Sequence, residues 1–521
     1  ANMAGTAEHG GVLAIMGDDH TGESSTVLHQ SEFALVDALM PILSPAGVQE
    51  LLDYGILGWE LSRYSGCWVG LKSVKDTIEV TEVVDGDPHR VKIVQPTDFE
   101  MPEGGLNIRL VDDRTDQEAR LHDYKRFAAE AFARANKIDH RVMGNDSAKI
   151  GIVSAGKSWL DTVHALDLLG IDAAEAERLG ITTYKIGMVW PLDMTSFREW
   201  SEGLDLIIVI EEKRKLIEVQ IKEAIFDDRR GRRVIGWKKE NGDVLFTVKG
   251  ALDPVGVARK LGDVLVGEGL NSAIMTKAKI ALEDAAKADN AEEIATRLPW
   301  FCSGCPHNTS TKVPEGSRAY AGIGCHYMVQ WMDRDTLGFT QMGGEGANWI
   351  GEAPFSKTGH VFQNLGDGTY NHSGIQAIRA AIAAGDVNIT YKVLYNDAVA
   401  MTGGQSNEGD LSAAQIAHEL VAMRIKKLVV VYDEKEDVDF SALPKGIETV
   451  ERRDLMEVQK RLREIEGVTA IVYIQTCAAE KRRRRKRGLF PDSDKRVFIN
   501  PDVCEGCGDC GCSRTVSPSC R

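Results

Sequence analysis

At 521 residues the chain is too long for one hydrophobic core, and about three domains are expected. Its 43% hydrophobic and 27% charged residues are the proportions of an ordinary globular protein, and the net charge of −16 argues against nucleic acid as a partner, because phosphate binding needs a basic face. No apolar run approaches the ~20 residues that span a bilayer, so no membrane partner is expected either.

No charged-then-apolar signal segment opens the chain, and a cytoplasmic location is expected. The start, Ala1-Asn2-Met3-Ala4-Gly5, reads as the middle of a domain. Apolar runs followed by helical patterns recur along the sequence, the mark of βα units and parallel sheets. Residues 12–16 read as a buried strand ending at Gly17-Asp18-Asp19, and residues 33–39 and 48–57 as helices interrupted by Pro41 and the Ser44-Pro45 turn. Short strands and turns fill 75–115, and 117–136 is a charged amphipathic helix. A second α/β region begins at Ala148, with strands expected over 149–154, 183–189 and 204–210. Arg229-Arg230-Gly231-Arg232-Arg233 marks an exposed loop, and 273–295 is an alanine-rich helical connector. The third α/β region has its clearest strands at 361–365, 389–395 and 428–432. After Cys477 a basic run, 481–487, reads as a solvated connector, or as a patch for an acidic electron carrier, and leads into a cysteine-rich segment.

The strongest short motif is Gly366-Asp367-Gly368, which follows one buried strand, while the next strand ends at Tyr395-Asn396-Asp397. This order places Asp367 and Asn396 at the carboxyl ends of neighbouring parallel strands, where open α/β sheets bind ligands. Two oxygen ligands there suit Mg²⁺, which shares its octahedral shell with diphosphate oxygens. Gly366 and Gly368 let the backbone approach phosphates closely, and the loop from Ala398 through Thr402-Gly403-Gly404-Gln405 can fold over them. A lone Gly-Asp-Gly is as readily a plain turn; the asparagine after the second strand tips the reading to thiamine diphosphate.

These motifs, in this order, resemble the cofactor-binding domain of 2-oxoacid:ferredoxin oxidoreductases. Phe301-Cys302-Ser303-Gly304-Cys305-Pro306-His307 and Gly322-Ile323-Gly324-Cys325-His326 resemble that family's cluster-binding segments. Gly17-Asp18-Asp19-His20 with Glu23-Ser24-Ser25 looks like its pyrimidine-side domain. The resemblance covers nearly the whole chain and is closest to the long, fused indolepyruvate ferredoxin oxidoreductases. It implies an α/β fold class: several parallel-sheet thiamine-diphosphate-enzyme domains plus a truncated ferredoxin-like, cysteine-rich tail. Residues 1–96 would be a pyrimidine-side domain lacking its N-terminal part, 97–147 a helical linker and 148–235 a domain like the C-terminal one of transketolase. Residues 236–297 would be a connector, 298–478 the thiamine diphosphate and Mg²⁺ domain, and 494–521 the ferredoxin-like segment. Asp367, Asn396 and the carbonyl of Ala398 would then be the Mg²⁺ ligands.

The ten cysteines include three pairs with C-x-x-C spacing, beginning at Cys302, Cys504 and Cys507, which in a long chain without a secretory signal favours metal or cluster ligation over disulfides. Thiolates of Cys302, Cys305 and Cys325, with Cys477 added by the family resemblance, would hold a 4Fe–4S cluster beside the thiamine. Zinc on the same thiolates is the alternative, but it gives electrons no exit. Cys504, Cys507 and Cys510 form a ferredoxin-type run for a second 4Fe–4S cluster, left incomplete because Cys512 follows too soon and Cys520 too late. The order of residues 512–518 matches what a one-base frame shift of the family tail would encode, so 512–521 are expected to be non-native. Cys67 is expected to be a buried apolar thiol.

The resemblance implies oxidative decarboxylation of an aryl 2-oxo acid, indole-3-pyruvate, to its acyl-coenzyme A, with electrons leaving through 4Fe–4S clusters to ferredoxin. Other 2-oxo acid specificities are the near alternative, and a non-oxidative thiamine decarboxylase would leave the cysteines unused. The implied partners are ferredoxin, a missing downstream gamma-type domain or subunit, and a second copy of the chain. The family's ylide-forming glutamate would lie upstream of Gly17; Glu23 does not align with it, so the isolated chain is expected to turn over poorly. His307, His326 and His372 lie beside the proposed site, and His372 is the one suspected of a catalytic role. A rival of another class, an iron–sulfur ATPase, rests on Gly151 to Ser158, formally a P-loop, with Glu211-Glu212 imitating a Walker B strand end. A P-loop needs its first glycine after the strand, and here the strand itself occupies that position.

Overall fold

The computed structural model describes all residues except 24, 26, 271, 290–298, 493–497 and 505–521. Ser24, Cys507, Cys510, Cys512 and Cys520 therefore lie outside the described residues. The chain divides into two compact units, Ala1–Glu292 and Glu293–Arg521. Both are α/β with mainly parallel sheets, the class the sequence predicts. Among the described residues no helix is long and apolar enough to cross a membrane.

The first unit holds two sheets. One contains β1 (Val12–Asp18), β2 (Ile42–Leu43) and β3 (Trp68–Val74), the other β4 (His140–Met143), β5 (Ile150–Ala155) and β6 (Ile181–Ile186). A short strand just after β6, β7 (Met188–Trp190), pairs antiparallel with β2 and so joins the first sheet, in the order β1-β3-β2-β7. β8 (Leu206–Ile210) and β9 (Arg233–Ile235) complete the second, in the order β4-β6-β5-β8-β9. The expected strand over 183–189 is thus two strands serving two sheets. The helix α1 (Val48–Ser65) buries Tyr54, Leu57 and Leu61 against Leu43, Val69 and Leu71, with a left-handed glycine, Gly66 (φ 65°), at its end.

The arginine-rich stretch corrects the expectation of an exposed loop in one respect. Arg232 is buried, because its guanidinium donates to the carbonyls of Ser201, Asp228 and Arg229 and to Ser201 Oγ. Cys67 is buried as expected, and burial pushes its thiol up to about 11.

The second unit is one six-stranded sheet: β10 (Arg318–Tyr320), β11 (Val361–Gly366), β12 (Ile389–Tyr395), β13 (Lys427–Tyr432), β14 (Glu448–Glu451) and β15 (Val468–Ile474). The order is β10-β11-β12-β15-β13-β14 and every pairing is parallel. The strand expected over 389–395 is β12 to the residue. β15, buried at every position and placed at the centre of the sheet, is not among the clearest strands of the sequence. Near-continuous apolar runs in β12 and β15 follow from burial on both faces of a parallel sheet.

One charge interrupts those runs. Lys392, in the middle of β12, is buried and donates to the carbonyls of Ser310 (2.8 Å) and Lys312 (3.5 Å) and to Gln459 Oε1 (3.3 Å). Burial pushes its ammonium down to about 7 from its ordinary value near 10.5. Below that folded value the lysine is charged in both states, whereas from there up to the ordinary value only the unfolded chain keeps the proton. Stability therefore rises with pH across this window. Relative to Lys392→Met, the wild-type chain is expected to gain stability between about pH 7 and about pH 10, by at most about 1.4 kcal/mol per unit. Urea midpoints that move in parallel for the two proteins would refute this.

Candidate active site

The carboxyl ends of β11 and β12 form the floor of the site. Asp367 opens the helix that follows β11 and is 3% exposed. Its carboxylate accepts from the backbone N–H groups of Gly368 (3.0 Å), Asn396 (3.2 Å) and Asp397 (3.1 Å). Burial nevertheless dominates and pushes the carboxyl up to about 6. Asn396, also buried, accepts the N–H of Ala398 on Oδ1 at 3.2 Å. The expected neighbourhood of Asp367 and Asn396 is present.

Beyond Ala398 the chain turns back on itself. Val399 donates to the Gln405 carbonyl (2.8 Å), Gly404 to the Val399 carbonyl (2.9 Å), and Thr402 Oγ1 to Gln405 Oε1 (2.7 Å). Gly403 (φ 118°) and Gly404 (φ 83°) adopt backbone angles that side chains resist, which makes the turn possible.

A cavity of about 800 Å³ opens over these strand ends. Gly366, Asp367, Gly368, Asn396, Ala398, Thr402 and Gln405 line it, together with Cys325, His307, His326 and His372. Gly403 and Gly404 belong to the turn and are not among the lining residues. Two buried polar atoms on the lining residues, His326 Nε2 and Asn407 Oδ1, have no protein partner. Such orphans are rare in folded proteins and mark a place where a polar ligand completes the bonding. A methyl group on Gly366 would come within 3.3 Å of His326, and one on Gly368 within 3.2 Å of Asn407 Oδ1. The backbone there is kept bare, as a diphosphate cradle requires, so the residues fit thiamine diphosphate with its cation. His326 is one of the histidines that the sequence places beside the site, whereas Asn407 carries no sequence signal and reaches the cavity only through the fold.

His326 is held far below the ordinary histidine value by burial, then by the neighbouring His307 and Lys392, and so it is neutral. His372 is exposed on a π-helical turn, Tyr370–Gly374, whose two ends are buried, and its Nδ1 is 2.6 Å from Ser373 Oγ. Such turns locally widen a helix and recur at functional sites.

The cysteines gather at the same end of the sheet. Cys305, Cys325 and Cys477 are half-buried and Cys302 is exposed. Burial first, and then the charges of Cys302 and Cys477, joined at Cys305 by that of Cys325, push Cys305 up to about 12 and Cys325 up to about 11. Among the described residues no group of three His, Cys, Asp or Glu is placed to hold a single metal ion. Cys504 is exposed.

Cys477 is joined to the cofactor strand directly: its N–H donates to the Asn396 carbonyl at 2.9 Å. It also begins the helix Ala478–Lys486, and here the expectation of a solvated basic connector needs correction. Lys481 is buried against Glu436 (2.5 Å), Arg484 pairs with Asp397 (2.5 Å), and Arg483 Nη1 donates to the Gly403 carbonyl (2.6 Å).

In the first unit, the segment Asp18-Asp19-His20 sits in a network of buried charges. His20 bonds Glu212, Lys72 bonds Glu32, and Lys157 reaches Asp161 (2.7 Å), Glu212 (2.8 Å) and the Leu252 carbonyl (2.7 Å). Burial raises the Glu212 carboxyl, but His20 and Lys157 outweigh it and hold it at about 2. This disposes of the phosphate-loop reading. β5 runs straight into the helix Gly156–Leu168 with no loop between them, and both mimic residues, Lys157 and Glu212, are spent on each other.

A family model described as indolepyruvate oxidoreductase domain matches residues 140–289, and one described as thiamine pyrophosphate enzyme, C-terminal TPP binding domain, matches residues 322–474. The indolepyruvate oxidoreductase subunit IorA of Pyrococcus abyssi is 25% identical over 528 residues, covering 96% of this chain and 76% of the relative. The subunit of the same name from Methanothermobacter marburgensis is 22% identical, covering 98% of this chain and 81% of its own. Among solved structures, the 2-oxoglutarate:ferredoxin oxidoreductase from Magnetococcus marinus aligns at 15% identity with a TM-score of 0.32, over 51% of this chain and 50% of that one.

Proposed function

We propose that this chain, a 2-oxo acid oxidoreductase similar to the indolepyruvate oxidoreductase subunits, uses thiamine diphosphate to decarboxylate oxidatively an aryl 2-oxo acid, indole-3-pyruvate by preference, to the acyl-coenzyme A. The observation that carries the reading is Asp367 and Asn396 side by side at neighbouring strand ends, on a cavity with unpartnered polar atoms.

In this reading Asp367, Asn396 and the Ala398 carbonyl would hold Mg²⁺, which would offset the charge of the diphosphate. Gly366 and Gly368 admit the phosphates, and the turn Thr402-Gly403-Gly404-Gln405 covers them. Bound thiamine diphosphate supplies the carbanion that adds to the 2-oxo acid and the electron sink that lets CO₂ leave. Cys302, Cys305, Cys325 and Cys477 would hold a 4Fe–4S cluster beside it, and the Cys504, Cys507 and Cys510 run would supply three of the four thiolates of a second. Neutral His326 offers a hydrogen bond to the cavity without adding charge to it. Ferredoxin accepts the electrons. The relatives are named as subunits, which supports assembly with a further subunit, and a two-fold pairing of this chain in the cytoplasm completes the proposal.

The intact enzyme, assayed anaerobically with coenzyme A and a viologen acceptor against a panel of 2-oxo acids, tests this. Reduction is expected with indole-3-pyruvate at a higher kcat/KM than with pyruvate. A preference for pyruvate would overturn the substrate, and silence with every 2-oxo acid would overturn the reaction.

A further inference from the structure

The arginine-rich helix after Cys477 has a role that the proposed reaction leaves unassigned. Its residues carry a dense like charge, and a run of that kind is ordinarily a solvated face. Here two of its arginines reach away from the helix to the turn that closes over the cavity. Arg483 Nη1 donates to the Gly403 carbonyl at 2.6 Å, and Arg484 pairs with Asp397 at 2.5 Å. The contact with the turn is close: a methyl group on Gly404 would stand 1.7 Å from Arg483 Nη2. Both guanidinium groups are also aligned from their own helix by Glu480, at 3.1 Å each.

Asp397 is the more telling partner. Its backbone lies in the left-handed region (φ 58°), which a residue with a side chain enters at a cost unless its surroundings fix it. Three bonds fix it. Its N–H donates to Asp367 Oδ2 (3.1 Å), Tyr395 donates to its Oδ1 (3.3 Å), and Arg484 binds its Oδ2. The same residue thus connects the helix to the carboxylate on which the cation would sit.

We propose that Arg483 and Arg484 are positioning residues for thiamine diphosphate: they brace Asp397 and the Gly403 turn in the binding conformation, and do so from a helix whose first turn follows Cys477. The inference rests on the thiamine diphosphate reading of the cavity and deepens it. The arginines act on the protein loop and not on the diphosphate as loose counter-charges. Arg482, whose Nε bonds the Ala478 carbonyl of its own helix, and Arg487, which is exposed, carry the same charge without touching the turn.

Calorimetric titration of the full chain with thiamine diphosphate at fixed Mg²⁺ tests this. Arg483→Ala/Arg484→Ala is expected to weaken binding by about tenfold, the sum of a charged hydrogen bond and a half-exposed ion pair. Without cofactor its melting temperature should stay within about 2 °C of wild type. Arg484→Lys, which keeps the charge near Asp397, should recover part of the loss, and Arg482→Ala/Arg487→Ala should bind as wild type does. If the double alanine variant melts early, Arg483→Gln and Arg484→Gln carry the same test singly, each at about threefold.

Unchanged affinity in the Arg483 and Arg484 variants would overturn the proposal. So would an equal loss in the Arg482 and Arg487 variant, which would reduce the helix to general attraction. Failure of the wild-type chain itself to bind thiamine diphosphate would instead overturn the reading of the cavity.

Discussion

Replacing Asp367 is expected to abolish Mg²⁺-dependent binding of thiamine diphosphate. The carboxylate is 3% exposed and would face a divalent cation in a site from which most water is excluded, so its charge is the main attraction for that cation. Asp367→Asn keeps the shape and one acceptor oxygen for the N–H groups of Gly368, Asn396 and Asp397, and removes only the charge. Losing one partner of a buried charge pair costs at least about 3 kcal/mol, a factor of more than about 100 in affinity. Asp367→Ala removes the acceptor as well and should bind nothing measurable. Both variants should keep the circular dichroism of the wild-type chain, since the sheet is built from β11, β12 and β15 and not from this side chain. Calorimetry showing wild-type affinity in either variant would remove Asp367 from the site.

The second large effect is on iron. Cys305 and Cys325 are pushed up to about 12 and about 11, chiefly by burial, so as bare thiols they stay protonated at neutral pH. Only a strongly positive centre makes thiolates of them there. Protein purified anaerobically is expected to be brown, and Cys302→Ser/Cys305→Ser is expected to lose one cluster, about four iron atoms per chain. Iron and zinc analysis, with the paramagnetic signal after reduction, reads the outcome. Stoichiometric zinc with no iron would make the cysteines a structural site and leave the electrons without a path.

What the sequence disclosed and what it withheld follow a physical line. The strand ends bearing Asp367 and Asn396 are legible because turn residues, Gly366-Asp367-Gly368 and Asn396-Asp397, close both strands, so their boundaries are written locally. β15 was harder. Residues 468–474 are as apolar as β12, but periodicity alone does not separate a buried strand from the end of the preceding helical stretch. β7 was merged with β6 because a single glycine, Gly187, divides them. The basic helix was misjudged for a different reason. A run of arginines and lysines shows its charge in the sequence but not its partners, and Asp397, Gly403 and Glu436 are supplied by segments far from it along the chain. The same holds for Arg232, buried by carbonyls of its own turn and of Ser201. The false phosphate loop shows the converse: a pattern of glycine, lysine and serine at the right spacing carries no phosphate chemistry when the first glycine is inside a strand.

The place of β15 also bears on how the second unit can come into being during synthesis. β12 and β13 are never neighbours; each pairs with β15, which lies between them and is made after both. Until residue 474 has left the ribosome, the growing chain carries two apolar strands with bare hydrogen-bonding edges facing an empty slot. Such edges pair readily with strands of other chains, and filling them late from distant sequence is slow. Completion of the sheet, and with it the junction of Asn396 to Cys477, therefore waits until residues 468–477 have been made. Ribosome pausing or premature termination just upstream of residue 468 would yield aggregation rather than a partly competent fragment.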